Sequence, residues 1–183
     1  MAMKLALSRF VGLAAVAILL GTTMPAFAQT ATTMTDEHIA KIRSNCQLAR
    51  ASLSQIHAND APTYVNRNQT YFSIGDKMMA TLNGRLSLNR YDASELVKTA
   101  SEYNDLVSQF RDTYRKYNDA MSDAIGTDCA KQPVGFYDKV AGARDARQKL
   151  HDVIVKLTDT LNDYKSQVRA FSTKNFSSPG ESQ

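Results

Sequence analysis

Two cysteines, Cys46 and Cys129, and three histidines, His38, His57 and His151, are the residues whose chemistry is easiest to test against spacing. Redox thiols usually sit as Cys-x-x-Cys, which lets one sulfur resolve the mixed disulfide of the other. That motif is absent, so one structural disulfide is the leading reading and a reactive thiol pair the competing one. A metal site on a single helix needs ligands three or four residues apart, on one face. No histidine pair has that spacing, and no Cys-x-x-Cys-His haem site occurs. There is also no Gly-rich phosphate loop, no Gly-x-Ser-x-Gly and no nucleophile beside a base. The expectation is no catalytic residue, no metal, no cofactor and no enzyme.

Four polar residues stand out by position. Arg147 falls within an otherwise apolar stripe, where an arginine must pair, snorkel or serve a partner. It is expected to be buried against Asp60 or Asp119, with a boundary arginine in water as the alternative. Asn68 falls on another apolar seam, near the level of Thr113, where a buried polar residue fixes register. Tyr103, Phe110, Tyr114 and Tyr117 repeat at helical spacing and read as core.

The elements that must position these residues follow a leader. Lys4 and Arg9 precede an apolar run, Val11 to Leu20, and Ala26-Phe27-Ala28 is a small-x-small cleavage pattern. Residues 1–28 therefore read as a signal peptide, with an uncleaved anchor as the alternative. Residues 29–34 read as flexible, 35–171 as one helical domain and 172–183 as a disordered tail. No later run is long and apolar enough to span a membrane.

From Thr35 the apolar residues recur at steps of three and four: Ile39, Ile42, Cys46, Ala49, Leu53, Ile56. Such a stripe is the seam of a coiled-coil-like helix. Pro62 interrupts it, and the pattern resumes in a new phase as Val65, Asn68, Phe72, Gly75, Met79, Leu82 and Leu86. This spacing predicts one helix over 35–89 kinked near Pro62, or two helices with a break there. Asn89 to Asp92 reads as a turn, with Asp92 and Glu95 as a capping-box-like start. Leu96 to Ala124 forms a second stripe ended by Gly126. Phe136, Val140, Ala143, Arg147, Leu150, Ile154, Leu157, Leu161, Tyr164, Val168 and Phe171 form a third. No strand pattern is present.

Folding the chain at the 89–92 turn sets Cys129 level with about residue 52, from the helical rise alone. Cys129 lies past the helix end, where extended chain covers more length per residue, so it descends towards Cys46. The third helix then returns alongside the first. The predicted fold is all-α, an antiparallel up-down-up three-helix bundle, elongated to roughly 80 Å.

Composition bounds the rest. Removing 28 of 183 residues leaves 155, enough for one domain, and 43% hydrophobic content can build a core. The leader holds Lys4 and Arg9 and no acid, so the net charge falls from +4 to +2 without it. The cations are spread among acids, which excludes a nucleic-acid footprint.

The segments Ile42-Arg43-Ser44-Asn45-Cys46, Gln55-Ile56-His57-Ala58-Asn59-Asp60-Ala61, Leu88-Asn89-Arg90 and Asp128-Cys129-Ala130-Lys131-Gln132-Pro133 resemble an exported helical family of candidate-phylum, Patescibacteria-type bacteria. The resemblance covers roughly residues 39 to 168. Pro62 departs from it, where an ordinary helix former is expected. It implies a helical fold outside the cytoplasm (periplasm, cell surface or secreted) and no activity. The leading functional expectation is a non-enzymatic structural or interaction protein, with a protein partner or self-association. The alternatives are a bundle binding a small apolar ligand or cofactor, and an envelope chaperone.

Overall fold

The computed structural model describes residues 34–176. The leader expected over 1–28, all but the last residue of the 29–34 segment, and the tail beyond 176 lie outside the described residues. Every regular element among the described residues is helical: α1 (Asp36–Ser44), α2 (Cys46–Phe72), a π segment (Ser73–Met79), α3 (Ala80–Leu88), α4 (Ser94–Gly126) and α5 (Pro133–Phe176). None is long and apolar enough to cross a membrane.

Helix α1 is started by Thr35, whose hydroxyl accepts the His38 amide. Asp36 and Glu37 in its first turn and Lys41 and Arg43 in its last oppose the helix dipole. Asn45 separates α1 from α2 and donates its amide to the Lys41 carbonyl, 2.9 Å away.

Helix α2 continues through Pro62 with no break, contrary to the two-helix alternative. A proline withholds one amide from the carbonyl four residues earlier. Here Pro62 and Ala58 are both exposed, so water can serve the released carbonyl. The departures from α-geometry fall elsewhere, at Asn45 and over Ser73–Met79. Within the π segment, Gly75 is buried against α4. A Cβ on Gly75 would run into the Asn104 side chain and lie 3.3 Å from the Tyr103 ring.

The inward seam of α2 also departs from expectation. The phase shift placed at Pro62 does not occur. Cys46, Ala49, Leu53, His57, Asp60, Tyr64, Asn68 and Tyr71 face inward in one unbroken series of three- and four-residue steps. Ile56, Val65 and Phe72, the apolar neighbours of that series, are exposed.

Arg90, at φ 61°, turns the chain between α3 and α4. The Arg90 and Tyr91 amides donate back to the Ser87 and Leu86 carbonyls. Asp92 accepts the Ser94 amide at 3.1 Å, so α4 starts two residues after it. Helix α5 extends past the expected limit at 171. The Phe176 ring packs edge-on against Tyr91, and Asn175 donates to the Phe171 carbonyl, which fixes that last turn.

Helix α4 packs against α5 and α2, and α1 against α5. The largest core gathers Met79, Leu96, Tyr103, Val107, Phe110 and Leu157. A smaller cluster holds Tyr117, Met121 and Ala143. The third joins Phe136 to the disulfide Cys46–Cys129, whose Cα atoms are 5.5 Å apart.

Candidate functional site

Three helical faces converge midway along α2. Asp60, Thr63, Tyr64 and Arg67 lie on one face of α2, by their three- and four-residue spacing. Phe110, Tyr114 and Tyr117 project from α4, and Arg144, Arg147 and His151 from α5. Between them opens a groove of about 410 Å³.

Aromatic rings form one wall. Tyr64 stacks on Tyr114, with centroids 3.5 Å apart and planes 6° from parallel, and also lies against Phe110. At the groove's edge the Tyr117 hydroxyl donates to Asp60 Oδ2 at 2.5 Å. Arg147 Nη2 approaches the same carboxylate oxygen at 3.5 Å. Burial, then the Asp60 carboxylate that accepts its proton, push the Tyr117 hydroxyl well above the usual tyrosine range. Burial first, then the Tyr64 ring and Asp60, raise Tyr114 as well. Both phenols therefore stay protonated at neutral pH, as donors rather than bases.

The groove is cationic. Three guanidinium groups face it against the single Asp60 carboxylate, which Tyr117 and Arg147 already engage. Arg67 and Arg144 make no ion pair among the described residues. Guanidinium groups bind carboxylate or phosphate oxygens through paired N–H donors. The arrangement can hold an anion beside an aromatic wall.

The residues singled out by position divide. Arg147 and Asp60 come together, but neither is buried: their side chains are 58% and 26% exposed. Arg147 has a long stem, which covers the groove edge while its head stays wet. Asp119 is exposed and joins no ion pair among the described residues. Asn68 is half-buried and meets Arg111 rather than Thr113. Arg111 Nε donates to Asn68 Oδ1 at 2.8 Å, with the guanidinium 5.8 Å from the Phe72 centroid.

Two further polar links join α2 to the α4 end: Arg50 Nε to the Ile125 carbonyl, 3.0 Å, and His57 Nε2 to Asn118 Oδ1, 2.8 Å. Arg67 and Arg144 were not foreseen. The run Arg144, Arg147, His151 shows the required spacing, but on one helix alone it reads as a solvated face. No protein-family model matches the chain, nor does any curated protein or solved structure.

Proposed function

We propose that the protein is a non-enzymatic, exported binding bundle that grips an acidic protein segment in the Arg67–Arg144–Arg147 groove. The observation that carries this reading is the charge imbalance: three guanidinium groups face one engaged carboxylate across an aromatic wall. Tyrosine and arginine are the residue types that dominate protein-interface hot spots, and their combination here favours a protein partner. The one hydroxyl–carboxylate pair at the groove, Tyr117–Asp60, keeps its proton on the phenol, whose pKa burial raises, which favours binding over catalysis.

The up-down-up three-helix arrangement belongs to this proposal. It is supported by the Thr99–Gln167 hydrogen bond near one end, the Tyr117–Asp60–Arg147 contact in the middle and the disulfide at the other end. Export is supported by the leader pattern and the disulfide, since such bonds persist outside the cytoplasm. Membership of the exported family it resembles rests on the quoted segments and the paired cysteines.

A photo-crosslinking residue at Thr63, in cells, tests the proposal. The expected result is one major adduct whose partner peptide is acidic. That adduct should be lost when Arg67→Glu and Arg144→Glu are combined. An adduct that survives the charge reversal, or a partner peptide without carboxylates, overturns it.

A further inference from the structure

A second groove lies between the π segment with α3 and the later part of α5, and differs in chemistry from the first. Its volume is about 560 Å³. The floor is apolar, built from Ile74, Leu82, Leu161 and Val168. Met78 stands at its mouth, 65% exposed although apolar. Four cations rim it: Lys77 and Arg85 on one wall, Lys165 and Arg169 on the other. No carboxylate lines it, and none of the four forms an ion pair among the described residues. Lys41, Arg115, Lys131, Arg147 and Lys149 all do.

The occupant is set by charge and apolarity. An apolar floor beneath four uncompensated cations, with no carboxylate in the lining, calls for an amphiphile with an anionic head. We infer that this groove binds one long-chain fatty carboxylate, acyl chain along the Ile74–Val168 floor and carboxylate at the Lys/Arg rim. The inference is independent of the arginine groove.

Calorimetric titration of the disulfide-bonded protein with monomeric saturated fatty carboxylates of increasing length tests it. Binding should be one to one and tighten about three- to fourfold per added methylene until the groove is filled. Lys165→Gln combined with Arg169→Gln, both exposed, should weaken dodecanoate at least tenfold. Dodecanol should bind at least tenfold more weakly than dodecanoate. Affinity independent of chain length, equal binding of the alcohol, or no effect of the Lys/Arg substitutions overturns the inference. So does binding to anionic vesicles without binding to the monomeric carboxylate. The Arg67→Glu, Arg144→Glu protein should bind dodecanoate normally. A loss there would place the ligand in the first groove and overturn the assignment to the second.

Discussion

The half of the molecule near the Arg90 turn and the half near the cysteines are held by different means. Around the turn, α3, the start of α4 and the end of α5 share a continuous buried core that runs through Met79, Tyr103 and Leu157. It even encloses a satisfied polar pair: Tyr164 donates to Asn83 Oδ1 at 2.8 Å, and Asn83 donates to the Leu96 carbonyl. At the other end α1 buries no residue and α2 buries only Cys46. Two small apolar clusters, polar links to α4 and one covalent bond hold that half. The contrast shows a crosslink placed where apolar burial alone is thin.

The largest effect should come from removing the bond. Cys46→Ser with Cys129→Ser opens a loop of 83 residues, and the chain-entropy model assigns that loop about 4–5 kcal/mol as an upper value. Amide exchange should accelerate first over α1 and the start of α2. Equal acceleration around Leu157 would break the comparison. Leu157→Ala, at a site 1% exposed, should cost about 3 kcal/mol in denaturant unfolding and lower the protection of the turn half instead.

A pair of tyrosines sharpens the point. Tyr164→Phe should cost about 1–2 kcal/mol, because Asn83 Oδ1 loses its donor in a buried site. Tyr103→Phe should be close to neutral, because the Tyr103 hydroxyl is buried without a hydrogen-bond partner among the described residues. Matching losses would mean that these hydrogen bonds do not distinguish the two positions.

The smallest effect at neutral pH is titration. Burial, with a lesser contribution from Tyr71, pushes the Tyr103 hydroxyl up to about 12 from its ordinary value of 10.0. A raised folded-state value means that its stabilisation is intact below pH 10.0 and is lost as pH rises towards about 12. Unfolding midpoints should fall over that interval, and Tyr103→Phe should flatten the fall. An unchanged pH slope in that variant would remove Tyr103 as the cause.

The two halves were also unequally legible in the sequence. The stripe of α5 and most of α4 could be read, because nearly every inward residue is apolar. The cysteine pairing could be read because a leader-like sequence pattern and a level argument point the same way. The middle of α2 could not. His57, Asp60 and Asn68 occupy inward positions, so an apolar pattern search slid to Ile56, Val65 and Phe72 and placed a false phase change at Pro62. Tyrosine at 64 and 71 tied that stretch to α4 without an aliphatic signal. The arginine groove was hidden for another reason. Its cations come from two helices, and only the tertiary fold brings Arg67 and Arg144 to one groove.

The disulfide has a mechanical consequence. Tension applied at the two ends of the described chain passes from Cys46 directly into Cys129, so residues 47–128 carry no load. With the bond intact, pulling can strip only α1 and α5. Reduction would release roughly 280 Å of hidden contour length. The crosslink thus makes the stretch from α2 to α4, with one side of each groove, a shielded loop in a molecule whose two ends can be pulled.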